Sequence, residues 1–277
     1  MIPRNPDGEH RIADKIGTGP FPGNYSNPCN IHEGRFFMKL KFAFISTCAL
    51  AMLSSLIIGG WASHADAQVS VKGVVKFEGT PPKGARIDMS QDPLCAKANS
   101  NPPTTEEVVV GTDGGLANVV VYVSEGLTSH DFQPPQQPAV LEQKGCQYRP
   151  HVIAIQANQK VNIVNSDETT HNIHPTPNNN REWNMSQPHG VPLEHSFARE
   201  EIAIPVKCNV HPWMKGYIAV FKHPYFVVTD KSGSFELKNL PPGTYTITAW
   251  QEKLGTQSQK VTVTAGKEAT VDFTFKQ

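Results

Sequence analysis

Within seven residues, Cys208-Asn209-Val210-His211-Pro212-Trp213-Met214 offers a thiol, an imidazole and a thioether. Those three ligand types together suit copper better than any other common metal, because copper takes soft sulfur donors alongside imidazole. Two residues separate Cys208 from His211 and two more separate His211 from Met214, so a loop of this length turns back over a single ion. Pro212 restricts its backbone. A type 1 copper site needs a second imidazole, and His171 is the leading candidate. In that arrangement Cys208 supplies the thiolate, His171 and His211 complete the plane and Met214 lies axially, around one copper ion cycling between Cu(I) and Cu(II).

The same residues fit other assignments. Zinc also accepts cysteine and histidine. Without metal, Cys208 is a small buried hydrophobe, His211 a turn residue, and Met214 and Trp213 core residues. Cys208 and His211 could pair as nucleophile and base, but no carboxylate stands where it would orient them, so the expectation is a protein that is not an enzyme. His174 follows His171 by three residues and points the other way in an extended strand. Glu168 or His174 is also a candidate for an extra ligand that would modify the site.

Strands must bring these groups together. Lys215 to Phe221 reads as one strand and Glu201 to Lys207 as another, so Cys208 leaves the sheet where the first ends and the chain re-enters just after Met214. Arg149 to Gln156 and Lys160 to Asn165 are strands joined by a turn at Asn158-Gln159. Val69 to Phe77 alternates apolar and polar residues, as a half-buried strand does. Val108 to Val110 and Ala117 to Val123 are two more strands, separated by Gly114-Gly115. The stretch to Pro103 around Cys95, the Pro- and Gln-rich segment Thr128 to Gln143, and Pro175 to His195 read as loops; a loop as long as the last is functional or mobile as a rule. No helical periodicity follows residue 67. The fold class is all-β: a Greek-key β-sandwich over 68–225 and a small β-sandwich module over 226–277, which packs firmly against it because about fifty residues bury too little surface alone.

Basic and acidic residues balance at 25 each, which gives no basic surface for nucleic acid. Lys39 and Lys41, the apolar run Phe42 to Trp61 and the small residues of Ala65-Asp66-Ala67 read as a signal peptide over 38–67, cleaved before Gln68 and leaving no stable membrane span. An uncleaved anchor is the alternative, since the run approaches spanning length. Residues 1–37 are a doubtful or disordered extension, with translation starting at Met38. The expected location is periplasmic or extracellular. Of five cysteines, Cys29 and Cys48 fall before the mature chain. If Cys208 binds metal, Cys95 and Cys146 remain as a disulfide pair in an oxidising compartment; the alternative is that one of them is a second metal ligand.

The Cys208–Met214 stretch resembles the short Cys-x2-His-x2-Met loop of cupredoxins, the blue-copper proteins. Asp167-Glu168-Thr169-Thr170-His171-Asn172-Ile173 is similar to the segment carrying their first histidine. The resemblance implies a periplasmic or extracellular electron carrier. Its redox protein partner would dock near His211, Pro212 and Trp213, with the exposed edge of His211 as the electron exit; the alternative places Trp213 in the core. The tail, with Thr229-Asp230-Lys231-Ser232-Gly233, Leu240-Pro241-Pro242-Gly243 and Val271-Asp272-Phe273, resembles carboxypeptidase regulatory-like, transthyretin-like β-domains, which imply a structural or binding role. Competing functions are copper delivery without a redox role and a non-catalytic secreted β-sandwich binding module.

Overall fold

The computed structural model describes residues 69–129 and 131–277. The expected extension, signal peptide, Cys29 and Cys48 lie outside the described residues. No helix among the described residues is long and apolar enough to cross a membrane.

The described chain is almost entirely β-strand. It opens with β1 (Val69–Glu78), a short helix α1 (Pro93–Ala98), β2 (Val120–Glu125), β3 (Ala139–Gln143) and β4 (Tyr148–Arg149). β5 (Val152–Gln156), β6 (Val161–Asn165), β7 (His171–Pro175), β8 (Met185–Gln187), β9 (Leu193–His195), β10 (Glu201–Lys207) and β11 (Lys215–Phe221) follow. The last part holds β12 (Phe226–Val228), β13 (Ser234–Leu240), β14 (Gly243–Gln251), β15 (Gly255–Val263), β16 (Ala269–Thr270) and β17 (Phe273–Lys276).

These strands form four sheets, ordered β5-β11-β10-β7-β8, β4-β3-β6-β9, β12-β2-β14-β15 and β13-β1-β16, with β17 also on β1. The first two face each other across a core holding Leu141, Ile155, Ile163, Ile173, Ile204, Ile218, Cys208 and Met214. The last two enclose a second core with Val71, Val121, Leu237, Ile247, Phe273 and Phe275. A third cluster of Val120, Val152, Ala219 and Phe221, flanked by Tyr217, Phe226 and Trp250, joins the β5–β11 sheet to the β12–β2–β14 sheet.

The sequence shows why. β11 sends Ile218 and Val220 into the first core and Ala219 and Phe221 into the third. β2 divides Val121 and Val123 from Val120 in the same way. A strand buried on both faces reads as a continuous apolar run, as Val119-Val120-Val121-Tyr122-Val123 does. The C-terminal strands do pack on the β5–β11 sheet, through Phe226, Val228 and Trp250. Their sheets also take in β1 and β2: Val71 lies opposite Leu237 and opposite Ala269, and Tyr122 opposite Thr248. All described residues belong to one compact unit, Trp61–Gln277. In β1, Gly73 falls on the core face where a Cβ would meet the Val271 carbonyl at 1.7 Å, so the alternation Val71-Gly73-Val75 keeps its apolar register but loses one side chain to a close crossing.

Four stretches differ from expectation. The Pro- and Gln-rich segment Thr128 to Gln143 ends in a strand, β3, paired in parallel with β6. The polar segment around Cys95 carries α1, started by the Asp92 side chain, which accepts from the amides of Leu94 and Cys95, with proline in the first turn. Val108 to Val110 is not a strand; Val110 makes only an isolated bridge to Leu116 while Val108 and Val110 pack on the second core. The long loop after His174 is pinned by β8, by β9 and by Glu201, whose carboxylate accepts from the amides of Asn178, Asn179 and Asn180.

Candidate metal centre

The first core ends in a polar cluster. His171 opens β7, where alternate residues His171, Ile173 and Pro175 are buried. Cys208 follows β10 directly, and the six residues after it return the chain to β11. The loop is closed by two backbone bonds, Cys208 N to Met214 O at 3.3 Å and Met214 N to His211 O at 2.9 Å. The spacing Cys-x2-His-x2-Met thus makes a tight turn that folds His211 back beneath Cys208.

The Nδ1 atoms of His171 and His211 are 2.9 Å apart. Cys208 Sγ is 3.7 Å from His211 Nδ1, and the donor atoms of all three residues lie within 4.8 Å of one another. His171, His211, Cys208 and Met214 are 0%, 2%, 3% and 1% exposed, so water reaches none of the four side chains freely. Met214 shares the apolar cluster with Cys208. The amide of Asn172 donates to Cys208 Sγ at 3.2 Å.

The outer nitrogens of both rings are taken. His171 Nε2 is 2.9 Å from Asp167 Oδ2, and His211 Nε2 is 2.9 Å from Asp92 Oδ2. A carboxylate accepts only, so each Nε2 carries the proton and each ring turns its Nδ1 toward the other. Two lone pairs facing each other at this distance require a cation between them, either a proton or a metal ion. Two imidazole nitrogens and a thiolate are a donor set that copper and zinc accept, and the residues present fit such an ion.

The local electrostatics favour a thiolate. Burial pushes the Cys208 thiol up, but His171 beside it and the amides of Asn172, His211 and Val210 outweigh burial and bring it down to about 6. Burial disfavours charge on His171, yet Asp167 and Cys208 raise it to about 8. Against its own desolvation, Asp92 is held down at about 2 by His211, Thr169 and the amides of Cys95 and Leu94.

Of the two alternatives near His171, neither joins the cluster. His174 faces away, with Nδ1 2.9 Å from Asn209 Oδ1 and Nε2 2.7 Å from Glu182 Oε1. Glu168 is exposed. Cys95 and Cys146 form a disulfide with Cα atoms 5.7 Å apart, which excludes either as a thiolate ligand and leaves Cys208 the free cysteine among the described residues.

The expected exposed edge of His211 is not found, because Asp92 and α1 cover its outer nitrogen. Trp213 is half-buried and donates from Nε1 to Cys146 O at 3.1 Å, so its indole packs inward. The exposed side chains of this loop are Asn209, Val210 and Pro212, with Val210 55% exposed. Sequence reasoning missed Asp92. Its signal was Asp92-Pro93, the N-cap and first-turn pair that starts a helix.

Residues 218–276 match the carboxypeptidase regulatory-like domain, in agreement with the resemblance of the tail. No curated protein matches the chain in sequence. Among solved structures, a Cu-containing nitrite reductase from Thermus scotoductus SA-01 is similar over 35% of this chain and 25% of its own, with 19% identity and a TM-score of 0.30; the match thus spans about a quarter of that enzyme. A purple cupredoxin from Nitrosopumilus maritimus is similar over 30% of this chain and 98% of its own, with 24% identity and a TM-score of 0.26. An oxidized amicyanin variant is similar over 36% of this chain and 97% of its own, with 12% identity and a TM-score of 0.28.

Proposed function

We propose that this chain is a secreted or periplasmic type 1 copper protein that carries single electrons between redox partners, with His171, Cys208, His211 and Met214 as ligands. One observation carries the reading: two imidazole Nδ1 atoms and one sulfur converge in a dry core while both Nε2 atoms are already bound to carboxylates. Bound copper supplies a one-electron couple. The chain does the rest. Burial removes water from the donor atoms, the amide of Asn172 steadies the sulfur, and strands β7, β10 and β11 hold the ligands at fixed separation. Met214, buried in the same cluster as Cys208, would add a weak thioether donor.

The protein is not an enzyme on this reading, although the carboxylate that the sequence did not place beside the Cys208–His211 pair is present: Asp92 Oδ2 lies 2.9 Å from His211 Nε2. The Cys95–Cys146 disulfide supports an oxidising, extracytoplasmic location. A redox protein docks near His211, Pro212 and Trp213, against the exposed Val210 and Pro212 rather than the covered histidine edge. Burial of all the donor side chains weighs against copper delivery, which needs an accessible ion.

The test is copper titration of the purified protein followed by optical and electron spin resonance spectra. One equivalent of copper with an intense thiolate-to-copper band, absent in Cys208→Ser, is the expected result. Copper binding without that band, or zinc alone retained, rejects it.

A further inference from the structure

We propose that Asp92 and Asp167 are positioning residues for His211 and His171, and that the Cys95–Cys146 disulfide ties the two aspartates into one frame. The inference rests on the copper reading for its purpose but on hydrogen bonds for its content.

Each carboxylate is held by one half of the disulfide. Asp92 Oδ1 accepts from the amides of Leu94 at 2.8 Å and Cys95 at 3.1 Å. Asp167 accepts from the amide of Gly145 at 2.7 Å through Oδ1 and from that of Cys146 at 2.8 Å through Oδ2. The same carboxylates reach the outer nitrogens of the two rings. The connections close into a ring: His211 to Asp92, Asp92 to Cys95, across the disulfide to Cys146, on to Asp167, to His171 and, through the facing Nδ1 atoms, back to His211. A sulfur of Cys95 lies within 4.8 Å of donor atoms of Asp92 and His211, and a sulfur of Cys146 within 4.8 Å of those of Asp167 and His171. Thr169 braces the ring from inside, donating from Oγ1 to Asp92 Oδ2 at 3.0 Å.

Helix capping alone does not account for this. Capping occupies Asp92 Oδ1, yet Oδ2 is aimed at His211 and Thr169, which are 119 and 77 residues away. A carboxylate with acceptor sites filled from both sides cannot rotate, so the ring it holds cannot swing or exchange its Nε2 proton for an Nδ1 proton. That fixes the tautomer that leaves Nδ1 free, the role that partners outside the ligand set play in metal sites.

The experiment is nitrogen-15 NMR of histidine-labelled protein, metal-free and loaded with Cu(I), following proton exchange at each imidazole Nε2. Wild type should show slowly exchanging Nε2–H signals from both His171 and His211. Asp92→Asn should lose only the His211 signal, Asp167→Asn only that of His171, and Cys95→Ala/Cys146→Ala should speed exchange at both. Cu(I) affinity should fall about 10- to 100-fold in each aspartate variant. Should Asp92→Asn not fold, Thr169→Val keeps both carboxylates and should quicken exchange at His211 alone. The pattern in metal-free protein supports the frame even if copper does not bind, which then counts against the copper reading only. Unchanged Nε2–H protection in Asp92→Asn or Thr169→Val overturns the frame even if copper binds.

Discussion

The contact between His151 and Glu252 offers a perturbation whose size and sign both follow from the structure. Glu252 lies in the turn after β14, and His151 directly precedes β5. Their side chains are 5% and 8% exposed, and His151 Nε2 meets Glu252 Oε1. The pair sits on the seam that joins the C-terminal strands to the β5–β11 sheet, and the backbone of His151 also accepts from Tyr217 N at 2.9 Å. Burial works against charge on His151, but the hydrogen bond and charge of Glu252, with Glu106 nearby, outweigh it and raise its pKa above 6.5. A histidine raised by folding contributes its full stability below the unfolded value of about 6.5, and that contribution is lost as pH rises through the higher folded value. Removing one partner of a buried charge pair costs about 3–5 kcal/mol, whereas a neutral hydrogen bond is worth about 0.5–1.5 kcal/mol. Glu252→Gln keeps the shape and removes the charge. Its cost in urea unfolding should therefore be about 3 kcal/mol at pH 6 and about 1 kcal/mol at pH 9. Comparing variant with wild type at each pH cancels the other titrating groups. An equal loss at both pH values would show that charge plays no part at this seam.

Two further perturbations probe the frame around the site. Phe221 is fully buried between β11 and the C-terminal sheet, so Phe221→Ala should cost about 3–5 kcal/mol in urea unfolding; a loss under about 1 kcal/mol would mean that the third core is not closed. Glu201 is held below the usual carboxylate range because, against its desolvation, the amides of Asn178, Asn179 and Asn180 bond its charged form. A depressed carboxylate stabilises above its unfolded pKa, about 4.3–4.5, and loses that contribution as pH falls through the folded value. Glu201→Gln should then cost about 1–3 kcal/mol at pH 7 and progressively less below pH 4, read from denaturant midpoints; a pH-independent cost would contradict it.

Where neighbours in sequence are neighbours in space, the chain was legible. The loop from Cys208 to Met214 and the strands on either side, β10 and β11, fall where the apolar pattern and ligand spacing put them. His171 and His174 face opposite ways because a strand alternates, and the disulfide followed from counting cysteines. What failed was long-range. β1 has the local pattern of an ordinary half-buried strand, but its partners lie in β13, more than 150 residues away, and in β16 and β17 beyond. The run Val119 to Val123 carried the clue that both its faces are buried. Asp92 reached the site from 119 residues away, and no local pattern tells a helix cap from a cap that also holds an imidazole.

On the proposed electron-carrier reading, that single long-range bond changes how an electron would have to leave. With His211 at the surface, a partner would touch the ring directly. Here the ring edge ends on the carboxylate of Asp92, the residue that caps α1, and Trp213 fills the adjoining space with its ring centroid 5.1 Å from that of His211. Enclosure strengthens every polar contact inside, because the surroundings screen less than water, and it would keep the donor side chains from moving when the charge of a bound ion changes. The same enclosure lengthens the path to any partner by at least the width of the covering residues. The geometry therefore sets rigidity of the ligand set against closeness of approach, and the covering groups are the ones that decide the balance: Asp92, Thr169 and the helix tied down by Cys95.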